Sequence, residues 1–118
     1  MYTARMRLSK ELVAASAGAL VLSILEQGES YGYEIIRRVK ELSGGQIQWT
    51  DGMLYPVLHR LEQQGAVTSR WRESAETGRK RKYYALKAQG RKVLADHKAQ
   101  WLVVHGALAS IWGNHVSA

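Results

Sequence analysis

Four consecutive cations, Arg79, Lys80, Arg81 and Lys82, lie in the run TGRKRKYY (77–84), soon after a helix-sized segment, TDGMLYPVLHRLEQQG (50–65). Lysine offers phosphate a compact charge and arginine a planar fork of donors. In the neighbouring segment Thr50, Gly52, Met53 and Pro56 come first, and His59 and Arg60 follow one turn later. Thr50 can donate to a base or a phosphate, Met53 can touch a thymine methyl, and His59 or Arg60 can bind a base edge or the backbone. The N-terminal end of a recognition helix is the part that reaches base edges. Plainer roles compete: core packing for Met53, a salt bridge to Glu62 or Glu34 for Arg60, and burial for Tyr55 in place of a phosphate-directed hydroxyl.

The charge distribution favours the binding reading. The chain of 118 residues carries a formal net charge of +7. Residues 1–48 are nearly balanced, whereas residues 70–92 hold nine cations against Glu73 and Glu76. A charge run is often only a solvated face. Concentrated at a hairpin tip beside a groove-sized helix, it reads as a phosphate-contacting patch.

Other classes fall away. The absence of cysteine excludes disulfides, thiolate metal sites and cysteine nucleophiles. No GxSxG, HExxH or P-loop frame is present, so no enzyme activity is expected and no cofactor is implied. Asp96, His97, His105 and His115 fall near one another in sequence, but the histidine spacings do not share a helix face as i, i+4 metal ligands do. The start lacks a signal-peptide apolar core, and the most apolar window, Leu12 to Leu25, is short for a membrane span. A cytoplasmic location without membrane contact is expected.

The elements that must position these residues follow from periodicity. Leu8 to Glu26 reads as a helix with Ser9 as N-cap, although ALVLSIL alone could pass for a strand. Its small run Ala14 to Ala19 includes Gly18, which costs up to about 1 kcal/mol relative to alanine. Such a loss implies either close packing by another element or space beside the helix. Ser30 caps a second helix, Tyr31 to Leu42, ended by Ser43-Gly44-Gly45. Tyr31 and Tyr33 open it, where amide dipoles favour an anion; core filling by one of them fits equally well. Thr50 or Asp51 caps the third helix, with Leu54, Leu58 and Leu61 on one face and Gly65 closing it. Pro56 falls just past the first turn, which predicts a bent or 3₁₀-like start. Ala66 to Glu73 and Lys82 to Leu86 read as strands of a hairpin with a long, flexible tip, SAETGRKR.

The last helix, from about Lys87 to Trp112, carries a heptad: Leu94, Trp101 and Leu108 on one line, His97, Val104 and Ile111 on the other. That spacing predicts pairing with another helix through Leu94, Trp101, Val104, Leu108 and Ile111. The expected fold class is α+β, mostly α: a winged helix-turn-helix over residues 1–87 with a long C-terminal dimerisation helix over residues 88–118.

The words SYGYEII (30–36), GMLYPVLHRLEQQGAV (52–67) and GRKRKYYAL (78–86), in this order of elements, resemble the PadR family of bacterial transcriptional regulators. The resemblance covers roughly residues 8–95. It implies a homodimeric repressor on a palindromic operator in double-stranded DNA, beside its own gene or a transporter gene, with phosphate contact from Tyr31 or Tyr33. The single C-terminal helix is similar to that of small members that sense multidrug-type compounds. There a tryptophan at the place matching Trp101 stacks on flat aromatic ligands at the dimer centre, which implies a pocket with Ala14 and Gly18 as small walls and His105 beside it. A basic RNA- or ribosome-associated protein, and a protein-interaction module working through the last helix, are the competing readings. Dimer formation separates the first from a regulator.

Overall fold

The computed structural model describes residues 8–113. Four helices and three strands follow in the order α1 (Lys10–Glu26), β1 (Ser30–Tyr31), α2 (Gly32–Leu42), α3 (Asp51–Gln63), β2 (Val67–Glu73), β3 (Lys80–Leu86) and α4 (Ala88–Trp112). The strands form one antiparallel sheet in the order β1-β3-β2.

Helix α1 is the hub. Ser9 caps it, its hydroxyl accepting from the Leu12 amide at 3.0 Å. Val21, Leu22, Ile24 and Leu25 are all buried because α2, α3, α4 and β3 pack around them. That explains the unbroken apolar run ALVLSIL: a helix covered on several sides has no polar stripe to display. Beside Gly18 there is open space, since an added β-carbon there would meet nothing within 4 Å.

The second helix departs from expectation at its start. Ser30 and Tyr31 form a two-residue strand paired with Tyr84 and Tyr83 of β3, so the helix begins at Gly32. Ser30 does not cap by bonding an amide; its hydroxyl donates to the Glu34 carboxylate at 2.5 Å. The free edge of β3 draws these two residues into extended pairing.

Helix α3 runs unbroken through Pro56. The Met53 and Leu54 amides both donate to the Thr50 carbonyl, each at 3.0 Å, so one 3₁₀-type bond accompanies the first α-helical bond at its start. Its buried Leu54, Val57, Leu58 and Leu61 close the core against Ile35 and Val39 of α2.

The hairpin is longer and its tip shorter than the sequence suggested. Arg72 pairs with Arg81 and Glu73 with Lys80, which leaves residues 74–79 as the turn. The Ser74 amide donates to the Arg79 carbonyl at 2.7 Å and the Gly78 amide to the Ser74 carbonyl at 2.8 Å. Gly78 takes φ +70°, a left-handed conformation that glycine adopts at little cost.

Helix α4 begins in the core and ends outside it. Leu94 is 1% exposed among α1, α3 and sheet residues, and Lys98 reaches Glu26 at the last turn of α1 with 3.2 Å between Nζ and Oε1. Trp101, Leu102, Val103, Val104, Ile111 and Trp112 are exposed. This corrects the heptad reading for Leu94: the protomer's own core takes that side chain and leaves it almost no surface for a partner helix. His115 lies outside the described residues.

Candidate nucleic-acid interface

Three faces divide the third helix. Leu54, Leu58 and Leu61 point into the core. Met53, Val57 and Arg60, at i, i+4 and i+7, line a groove of about 910 Å³ shared with Val13, Ala14 and Ala17 of α1 and with Trp49. Tyr55 turns the other way and, with Asp51, lines a cleft of about 820 Å³ against the hairpin. Between the two hollows stand Gly52, Pro56 and His59, all exposed. Thr50 precedes them as the helix N-cap, but its hydroxyl makes no capping bond, so it is not consumed by its own helix.

The 820 Å³ cleft is also bordered by Tyr31 of β1 and Tyr33 of α2, and by Arg79, Lys80, Arg81 and Lys82 of the hairpin. The basic run and the flank of α3 are therefore side by side, as the binding reading requires. Strand alternation then sorts the cations. Lys80 and Lys82 sit opposite Glu73 and Trp71 on the face that also carries Ser69 and Tyr84. Ser69 donates to Glu62 of α3 at 2.5 Å, which identifies this face as the one toward the helix. Arg81 belongs to the other face and stacks 4.4 Å from the ring centre of Tyr31 at the sheet edge.

The tyrosines separate in the same way. Tyr33 is 70% exposed in the first turn of α2, free to offer its hydroxyl, whereas Tyr31 is half-buried, held by Arg81 and by an edge-to-face contact with Tyr83 at 5.3 Å. Tyr55 is exposed and stacks on His59 at 6.1 Å, so its burial is ruled out. Met53 is also exposed rather than core. The salt bridge weighed for Arg60 does not form among the described residues: Glu62 accepts from Ser69, and Glu34 lies between Ser30 and Arg37. At the cleft floor Tyr84 is buried. Desolvation first, then the charge of Glu62, then Tyr55, raise its hydroxyl above the ordinary 10.0, so it stays neutral.

Sequence reasoning missed Trp71, which stands exposed opposite Lys82 and lines the cleft. Its alternation with Val67 and Ser69 was the available signal. Of the residues grouped as a ligand pocket, Ala14 lines the groove beside Trp49 and Arg60, while Trp101 and His105 stack on each other at 4.7 Å on α4. Neither of the two hollows gathers Ala14, Gly18, Trp101 and His105.

A helical trio with its third helix beside a basic antiparallel hairpin is the architecture of winged helix-turn-helix regulators. Similarity to known proteins narrows this class. Residues 21–96 match the transcriptional regulator PadR-like family. The chain is 32% identical over 81 residues to the transcriptional regulator YqjI of Escherichia coli, covering 69% of this chain and 37% of that protein. Solved structures agree in fold along most of the chain. A PadR family transcription regulator from Clostridium difficile aligns with a TM-score of 0.73 at 30% identity, covering 83% of this chain and 99% of its own. One from Eggerthella lenta aligns at 0.70 and 32%, covering 91% and 88%. This chain belongs to the PadR-like family of transcriptional regulators. It spans a little over a third of the length of the E. coli relative. No helix among the described residues is long and apolar enough to cross a membrane.

Proposed function

We propose that this chain is a homodimeric repressor that binds a palindromic operator in double-stranded DNA, in the cytoplasm, beside its own gene or a neighbouring one such as a transporter gene. The observation that carries the reading is the shared cleft, where Lys80 and Lys82 face the same hollow as Tyr33 and Tyr55. Next to it Gly52, Met53, Pro56, His59 and Arg60 stand exposed, with Thr50 leading the helix. In this assignment the lysines and tyrosines contact phosphates and fix register, and the exposed edge of α3 reads bases.

Dimerisation through α4 is supported by its apolar outer half, from Trp101 through Val104 to Ile111 and Trp112, which a lone chain leaves in water. Leu108, half-buried, continues that line. A two-fold pair of α3 helices then meets two half-sites one duplex turn apart.

A flat aromatic molecule relieves repression in this proposal. Trp101 presents an exposed indole already stacked on the His105 ring, and α1 leaves open space at Gly18. A second chain supplies the remaining wall, bringing Ala14 and Gly18 of one protomer toward Trp101 of the other.

The deciding experiment is sizing of the purified chain, followed by binding to a duplex from the DNA upstream of its own gene and to a random duplex at one fixed salt concentration. A dimer that prefers its own upstream duplex by about a thousandfold or more meets the proposal. A monomer with equal affinity for both sequences defeats it. Titration with a flat cationic dye tests the sensor, with Trp101→Ala as control; equal fluorescence quenching in both proteins discards the pocket.

A further inference from the structure

The back of the winged sheet carries an assembly that contact with DNA on the α3 side does not account for. Alternation places Arg70, Arg72, Arg81 and Tyr83 on the face opposite Trp71, Lys80 and Lys82, and β1 sets Tyr31 next to Tyr83. The side chains form a continuous ladder across three strands. The Arg72 guanidinium lies 4.3 Å from the Tyr83 ring centre, Tyr83 meets Tyr31 edge-on at 5.3 Å, and Arg81 covers Tyr31 at 4.4 Å.

Glu29 closes the ladder. It lies in the turn between α1 and β1, yet its carboxylate spans over β3 to β2, giving Oε2 to Arg70 at 3.3 Å and Oε1 to Arg72. At 29% its side chain is less exposed than either arginine. A single exposed ion pair stabilises little. Here one carboxylate takes two guanidinium groups, and one of those is also stacked on an aromatic ring, which limits its freedom.

We propose that Glu29 is a positioning residue for DNA binding: it ties β2 to the α1–α2 turn and so sets the tilt at which Lys80 and Lys82 stand beside α3. The proposal rests on the DNA-binding reading above, and the two make separable predictions. If Glu29 were only an acid near a phosphate-binding surface, its neutralisation would remove repulsion and free two arginines. Binding to any duplex would then tighten and its salt dependence would steepen. As a positioning residue it has the opposite effect. Without the clamp the hairpin rotates away, its hold on the phosphates lapses, and the gain in net charge does not restore it.

The test compares the full chain with Glu29→Gln and Glu29→Asp. Aspartate keeps the charge and loses the reach needed to span both arginines. Fluorescence anisotropy with a duplex from the chain's own upstream DNA, at salt concentrations from about 50 to 200 mM, should show Glu29→Gln binding about tenfold more weakly with a slope flatter by up to about two units. Glu29→Asp should fall between it and the wild type. Amide hydrogen exchange should quicken over residues 67–86 in both variants while the buried amides of residues 20–25 in α1 keep their protection. Glutamine binding as tightly as glutamate or more so, aspartate indistinguishable from glutamate, or unchanged exchange in the hairpin each overturns the proposal. Wild-type chain that fails to bind the duplex removes the DNA-binding reading instead, and the exchange comparison still decides the clamp.

Discussion

Gly90 presses its α-carbon against the carbonyl of Ala66, so that a β-carbon at position 90 would lie 2.1 Å from that oxygen and 2.6 Å from Cδ1 of Leu86. The Lys87 amide donates to the same Ala66 carbonyl at 2.9 Å. The first turn of α4 is thereby docked on the start of β2, and the last helix is tied to the wing it follows. Only glycine permits so close a crossing.

Gly90→Ala should therefore force the two backbones apart and destabilise the chain by about 1–3 kcal/mol, as overpacking of a tight contact does. The check is thermal unfolding, where each kcal/mol lowers Tm by roughly 4–8 °C in a domain of this size. Gly18→Ala supplies the contrast. With nothing near its β-carbon and a helical backbone, it should leave Tm unchanged or raise it, by up to about 1 kcal/mol of added stability.

Lys80 and Lys82 share the cleft-facing side of β3, so their joint replacement by alanine should weaken binding to all duplexes alike. The slope of log K against log salt should fall by up to about two units, near one for each phosphate no longer neutralised. A salt titration with an unchanged slope would show that the wing does not touch the duplex.

Leu94 and Ile111 belong to the two lines of one heptad pattern yet should behave differently on mutation. Leu94→Ala should cost about 2–5 kcal/mol, because it opens a cavity in the protomer core. Val104→Glu combined with Ile111→Glu alters two exposed side chains, Ile111 being 78% exposed, and should leave the helical content of the chain close to wild type. Size-exclusion chromatography with light scattering should then give the mass of one chain for the double variant and of two for the wild type.

Tyr84 supplies a pH signature. Its hydroxyl is raised above 10.0 in the folded chain, chiefly by burial, so the folded state holds that proton more tightly than the unfolded state does. The associated stability is fully present below about pH 10 and is lost as pH climbs through the raised folded value. Denaturant melts should show stability declining above about pH 10, and Tyr84→Phe should flatten that decline. A decline of equal steepness in both proteins would show that other groups govern it.

Much of this architecture is legible in residue order because it depends on neighbours in the chain. Ser9 before an apolar run, the leucine spacing of α3, Gly65 at its end and the basic hairpin each act within a few residues, and each element lies within two residues of where those signals put it. Three features lack any such local mark. Ser30-Tyr31 is too short for a period of two and becomes a strand only because β3 offers an unpaired edge. Lys80 and Arg81 resemble loop residues, and their pairing with Glu73 and Arg72 extends the strand through the charged run, so that one cation turns toward α3 and the next toward Tyr31. Leu94 and Trp101 are equivalent in a heptad, and what distinguishes them is where α1 ends: Lys98 meets Glu26 between them, so Leu94 is buried while Trp101 lies in water. Spacing along a chain specifies which side chains share a face. What that face meets depends on segments far away in sequence, and only their packing supplies it.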